Sequence, residues 1–177
     1  MCRARGHNLP ALVVADERTW AVAGKAVDAG LRSAGVVACD PLVFPAEPCL
    51  YASLDNAHTI ADRLRTLDAE TGSAVVPIAV GSGTINDLTK LAAKDVGRRY
   101  AVVGTAASMD GYTGAGAPIS DNGVKVTMQC VAPQVVIFDL DITAAAPQVM
   151  TASGYGDLAA KIPGGADWII ADAAGIE

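Results

Sequence analysis

Residues 75–80 form an unbroken apolar run that ends in Gly81-Ser82-Gly83 and continues as Thr84-Ile85-Asn86-Asp87 with helical spacing. A strand apolar on both faces has to be covered on both, which is the condition of a parallel sheet between helices. Gly81 permits a tight turn and Gly83 removes a Cβ, so backbone N–H groups and the positive end of the next helix can face a phosphate. The amides of Gly81, Ser82, Gly83 and Thr84 are therefore candidate pyrophosphate contacts. Asn86 stands where the dinucleotide fingerprint has its third glycine, and a plain strand-to-helix turn has the same appearance.

The rest of the chain alternates in the same way. Residues 11–15 are apolar and end in Asp16, an Ala-rich stretch to about Ala34 reads as helix, and residues 36–39 read as a second strand. Pro41, Pro45 and Pro48 mark a loop, residues 50–67 carry apolar side chains at helical spacing, and a helix over 84–94 and a strand over 100–103 follow the glycine turn. Asp121-Asn122-Gly123 between two short segments predicts a β-hairpin excursion, and residues 135–138 a returning strand. Pro147 opens a helix, and Ala152 to about Ala174 is again helical, interrupted near Pro163-Gly164-Gly165. The alternation predicts an α/β, Rossmann-like fold: five parallel strands with helices on both faces and right-handed crossovers.

Composition excludes several other classes. With 51% hydrophobic and 18% charged residues in 177, the chain is long and apolar enough to bury a core. No apolar run approaches the ~20 residues that span a bilayer, and residues 1–10 lack the apolar centre of a signal peptide, so a cytoplasmic protein is expected. A net charge of −6, with Arg98-Arg99 the main close basic pair beside Arg3 and Arg5, argues against a nucleic-acid surface. Cys2, Cys39, Cys49 and Cys130 lack metal or disulfide spacing and are expected to be reduced, structural thiols.

Three segments carry a more specific signal: Gly-Ser-Gly-Thr-Ile-Asn-Asp-Leu-Thr-Lys at 81–90, Ser-Met-Asp-Gly-Tyr at 108–112, and Gly-Tyr-Gly-Asp-Leu at 154–158. In order and spacing they resemble the sn-glycerol-1-phosphate dehydrogenases, within the group that holds glycerol dehydrogenase, iron-containing alcohol dehydrogenases and dehydroquinate synthase. The resemblance runs from about Leu12 onward. It implies a dinucleotide-binding domain over residues 1–150 and the beginning of a helical, metal-binding domain over 151–177, with family members continuing beyond both ends.

By that resemblance Asp157 is a ligand to a divalent metal, zinc or nickel, whose histidine partners come from the helical domain; read from the residues alone it is a carboxylate at a helix start. His7 and His58 match no ligand position and are expected to be surface or packing residues. Asp110 would contact the polyol hydroxyls, Thr105 and Ser108 the nicotinamide side of the cofactor, and Asp87 would face the same crevice. Asp16 ends the first strand, where a carboxylate either binds the adenosine ribose or caps a helix. Lys125 and Lys161 are cations for the substrate phosphate, and Lys161, four residues from Asp157, equally suits an ordinary salt bridge.

The expected activity is an NAD(P)- and metal-dependent interconversion of dihydroxyacetone phosphate and sn-glycerol 1-phosphate, with the chain inactive by itself for want of metal ligands. Its partner would be a phosphorylated polyol, with no nucleic acid or membrane; a homo-oligomer is left open. The alternatives are a dehydroquinate synthase-like or glycerol dehydrogenase-like enzyme and a non-catalytic nucleotide-binding module. Dehydroquinate synthase fits less well, since Met109-Asp110-Gly111-Tyr112 replaces that family's Gly-Gly-Lys.

Overall fold

The computed structural model describes residues 3–4 and 7–176; Cys2, Arg5 and the side chains of Arg3 and His7, which enter the sequence readings, lie outside them. A short antiparallel pair, β1 (Arg3–Ala4) and β2 (His7–Asn8), leads into β3 (Ala11–Asp16). A helical run follows: α1 (Glu17–Thr19), a π-helical turn (Trp20–Gly24) and α2 (Lys25–Ser33). Then come β4 (Leu42–Phe44), α3 (Leu54–Thr71), β5 (Val76–Gly81), α4 (Gly83–Asp95) and β6 (Ala101–Gly104). The hairpin β7 (Gly116–Asp121) and β8 (Val124–Gln129) precedes β9 (Val135–Phe138), α5 (Leu140–Ala145), α6 (Gln148–Ala159) and α7 (Lys161–Ala173).

Five strands form one parallel sheet in the order β4-β3-β5-β6-β9. The fold is thus the expected α/β sandwich with a separate hairpin. Alternating side chains along each strand feed two cores. Leu12 and Val14 of β3 and Ala79 of β5 pack with Ile60 and Leu64 of α3 and Leu88 and Leu91 of α4. Ala11, Val13 and Ala15, with Ile78 and Val80, pack on the other face with Trp20, Val27 and Leu31.

The second strand lies later than its apolar run suggests. In 36–39 only Ala38 makes a bridge, to Ala11, and Cys39 donates its N–H to the Ala11 carbonyl at 2.9 Å. Asp40-Pro41 then interrupts the ladder, because proline has no N–H to give, and pairing resumes with Leu42 opposite Val14. Helix α3 likewise starts at Leu54 rather than near residue 50, since the Ser53 hydroxyl accepts the Asn56 N–H and caps it there. The hairpin turn is made at Asn122 and Gly123, both with positive φ, as the Asp-Asn-Gly signal implied. Among the described residues no helix is long and apolar enough to cross a membrane.

Candidate active site

Strand order reverses between β3 and β5: from β3 the chain steps outward to β4, and from β5 it steps the other way to β6 and β9. Loops leaving the two strands therefore part to opposite faces and open a crevice at their carboxyl ends, where open α/β sheets bind ligands. A cleft of about 780 Å³ lies there, walled by Asp16, Arg18, Ser82, Thr84, Thr105 and Ile142 among others. That volume is of the size that holds a small ligand or a large part of a dinucleotide.

The glycine turn is fixed by packing. A Cβ on Gly81 would come within 2.7 Å of the Ile85 side chain, and one on Gly83 within 2.9 Å of the Met109 sulfur. Gly83 thereby lets the loop after β6 close over the turn, and the Thr105 N–H donates to the Gly81 carbonyl at 3.1 Å. Ser82 is the N-cap of α4 but makes no side-chain cap, so the positive end of that helix faces the cleft without a protein anion on it. Cleft size, uncapped helix and close backbone approach fit a dinucleotide pyrophosphate. Asp16 is engaged differently: its Oδ1 accepts the Thr19 N–H at 2.8 Å while the Thr19 hydroxyl accepts the Asp16 N–H at 3.1 Å, a reciprocal cap.

A second polar centre joins the loop after β6 to the last helices. The Asp157 Oδ2 accepts the Asp110 N–H at 3.0 Å, and the Lys161 ammonium lies 3.0 Å from Asp110 Oδ2 and 3.6 Å from Asp157 Oδ1. The Asp110 N–H, with Lys161 behind it, holds the Asp157 carboxyl below the usual carboxylate range; the hydrogen bond to Asp110 raises the Lys161 ammonium. Asp157 is not at a helix start. It sits in the last turn of α6, where the helix dipole disfavours a carboxylate, and the Asp110 amide and Lys161 compensate. Gly154 before it serves packing: a Cβ there would be 2.1 Å from the Ala107 carbonyl oxygen, so only glycine lets α6 lie on this loop.

Behind the loop is a buried network that charge spacing alone did not reveal. Lys90, with a side chain 0% exposed, donates to the Gly116 carbonyl at 2.8 Å, the Gly111 carbonyl at 3.3 Å and Asp87 Oδ1 at 3.4 Å. Asn86 donates to Asp87 and accepts from the Tyr100 hydroxyl, both at 3.0 Å. Burial pushes the Asp87 carboxyl up, with Lys90 pulling against it. Tyr112 completes the fastening: its hydroxyl donates to the Ala106 carbonyl at 2.7 Å and meets the Ser108 hydroxyl at 3.3 Å, and its ring stands edge-on to Phe138.

The structure therefore brings Asp16, Ser82, Thr84 and Thr105 to one cleft, and Asp110, Asp157 and Lys161 to one cluster. Asp87 is buried against Lys90, and Ser108 is turned to Tyr112. Lys125 is exposed on β8, opposite Ser120, and makes no ion pair among the described residues. His58 is exposed on α3. No three His, Cys, Asp or Glu side chains converge among the described residues, so the donors present do not make up the three-ligand site a catalytic metal needs.

Comparison with known proteins agrees with this geometry. A family model for iron-containing alcohol dehydrogenase matches residues 1–147. The chain is 38% identical to glycerol-1-phosphate dehydrogenase NAD(P)+ of Bacillus velezensis over 90% of its length, and 37% identical to the Bacillus subtilis protein of the same name over 94%. It spans 39% and 41% of those relatives. Among solved structures, glycerol dehydrogenase from Schizosaccharomyces pombe superposes with a TM-score of 0.65 over 84% of this chain and 36% of that one, at 22% identity, which is a likeness of fold. The reversal-point cleft, the glycine turn and the family match agree: the chain belongs to the iron-containing alcohol dehydrogenase family.

Proposed function

We propose that this chain is the dinucleotide-binding part of an NAD(P)-dependent dehydrogenase that interconverts dihydroxyacetone phosphate and sn-glycerol 1-phosphate. The observation that carries it is the cleft between the ends of β3 and β5, with the uncapped start of α4 in its wall and Asp16, Thr84 and Thr105 around it. Relatives named glycerol-1-phosphate dehydrogenase NAD(P)+ supply the substrate class. We divide the chain near residue 150, residues 1–150 holding the nucleotide and 151–177 belonging to a helical, metal-binding part. Free Cys39, Cys49 and Cys130 suit a cytoplasmic setting.

The bound dinucleotide would accept or return the hydride. The chain's own residues do the rest. Amides of the 81–84 turn and the dipole of α4 hold the pyrophosphate, Asp16 offers its second carboxylate oxygen to the adenosine ribose, and the Thr105 hydroxyl stands at the nicotinamide side. Asp110 accepts hydrogen bonds from the polyol hydroxyls, and Lys161, already on that carboxylate, supplies a cation for the substrate phosphate, with Lys125 a second. Asp157 keeps the metal-ligand assignment of its family position. The three-donor set that a catalytic metal needs is not present among the described residues, so Asp157 would supply only one of its ligands.

Calorimetric titration of the 177-residue chain with NADH tests this: saturable one-to-one binding is expected, and no binding would refute it. Turnover of dihydroxyacetone phosphate by the same chain with zinc or nickel added is expected to be absent, and turnover would overturn the claim that it is inactive alone.

A further inference from the structure

Asn122 is the one asparagine of this chain that a glycine follows, and the pair forms the tip of the β7–β8 hairpin. Both residues are exposed and both have positive φ, 47° at Asn122 and 80° at Gly123. That conformation belongs to a tight two-residue turn, and it costs asparagine little because its short amide tolerates the left-handed region. The side-chain amide is held over the turn, its Nδ2 donating to Asp121 Oδ1 at 2.9 Å. The Gly123 N–H makes no hydrogen bond among the described residues, and nothing lies within 4 Å of where a Gly123 Cβ would be, so this nitrogen is open.

The hairpin is fastened at its root and free at its tip. Ala117 and Ile119 are fully buried, the Gly116 carbonyl takes the Lys90 ammonium, and the Ser120 N–H donates to the Ala52 carbonyl at 2.7 Å. Beyond Ser120 the backbone bonds of the described residues are those of the β7–β8 ladder itself, and β8 is exposed from Val124 through Thr127. Such an end opens locally while the rest of the protein stays folded. An open tip lets the Asn122 main chain rotate until the Gly123 nitrogen reaches Cγ. Asn56 and Asn86 lack that freedom: Asn56 lies in α3 with its Nδ2 on the Tyr51 carbonyl, and Asn86 is buried in α4 between Asp87 and Tyr100.

We propose that Asn122 is a site of self-modification. The Gly123 nitrogen gives its proton to solvent hydroxide and bonds Asn122 Cγ, the Cγ–Nδ2 bond breaks, and the amide leaves as ammonia. Water then opens the cyclic imide. Cleavage of the new N–Cγ bond leaves aspartate, whereas cleavage of the original peptide bond leaves isoaspartate, with the main chain routed through the side-chain methylene. Either product adds a negative charge beside Asp121, and isoaspartate also lengthens the turn and mismatches the closure of Asp121 on Val124.

The native chain and Asn122→Gly are aged over days in neutral buffer, the variant keeping the turn because Gly-Gly also suits it. Peptide mass spectrometry and enzymatic methylation of isoaspartate follow both. In the native chain NH2 is expected to be replaced by OH at Asn122, with methyl groups accepted there and Asn56 and Asn86 unchanged; Asn122→Gly accepts none. Hydrogen exchange at Val124 and Val126 should quicken several-fold in the isoaspartate form while amides of β5 keep their protection. Modification of Asn56 or Asn86 as fast as that of Asn122 overturns the proposal, as does aspartate formed without isoaspartate, which is direct hydrolysis. So does an Asn122 that stays intact in the folded chain over a time in which the urea-unfolded chain is converted, since the tip would then be closed.

Discussion

The ends of β3 and β5 and the ends of α6 and α7 are built on different physics. Every residue of β5 is buried, and in β3 only Asp16 is partly open. In α6 and α7 no residue is buried, and Ile162, Trp168 and Ile169 are each more than 70% exposed. The glycine turn is thus held by close packing. The Asp157 centre is held by one amide, one ammonium and the seat at Gly154. Damage to the first should unfold the protein, whereas damage to the second should leave the sheet and its glycine turn intact.

The largest effect is expected at Lys90. Lys90→Met leaves the buried Asp87 without its cation, which should cost roughly 3–5 kcal/mol near neutral pH in denaturant melts. The pH dependence has a definite sign. Burial raises the Asp87 carboxyl in the folded state, so its contribution to stability is full below the unfolded value and is lost as pH rises through the folded one. Without Lys90 the folded value rises further, so the defect should shrink as pH falls toward 4. A defect that does not vary with pH would show that Asp87 is not the charge left behind.

Gly154→Ala tests the other region. Its Cβ would meet a backbone oxygen, and the strain should cost about 1–3 kcal/mol or lift α6 from the loop. Hydrogen exchange at the Asp110 amide should quicken while amides of β5 keep their protection. Equal loss of protection in both would contradict the separation of the two regions.

Much of the sheet was legible in the sequence because β5, β6 and β9 are continuous apolar runs, the first two largely buried and β9 partly open at the sheet's edge. The edge strand was not, since Pro41 splits it and only pairing with Val14 and Ala15 shows where it resumes. Gly154-Tyr155-Gly156 reads as a break before a helix, yet the glycines lie inside α6 because a loop 47 residues earlier presses on it. Lys90, three residues after Asp87, looks like a solvated helix pair; the carbonyls of Gly111 and Gly116 that bury it come from later segments. Asp16 showed its position, but both oxygens of its cap lie on Thr19 and on itself, which sequence spacing leaves open.

Asp157→Asn should be smaller still. The carboxyl is held low in the folded state, so its contribution is present above the unfolded value and lost as pH falls through the folded one, opposite in sign to Asp87. With the side chain substantially exposed, the change should cost about 0–1 kcal/mol at pH 7 and leave NADH affinity unaltered. A large fall in NADH affinity would mean that the two centres are not independent. Thr89 is the least of these. Its hydroxyl is buried without a hydrogen-bond partner among the described residues, so Thr89→Val should be neutral or stabilise by up to about 1 kcal/mol, and a clear loss would reveal a bond to that oxygen.

The central claim, that the uncapped start of α4 is a pyrophosphate seat, is tested most directly by Ser82→Asp. An aspartate there caps α4 and satisfies its dipole, so the melting temperature should rise, by an amount equivalent to about 0.5–1 kcal/mol. The same carboxylate would occupy and repel the pyrophosphate, so NADH affinity should fall at least about tenfold. A protein that becomes more stable and loses NADH is the predicted result. Unchanged NADH affinity in a folded Ser82→Asp variant would contradict it.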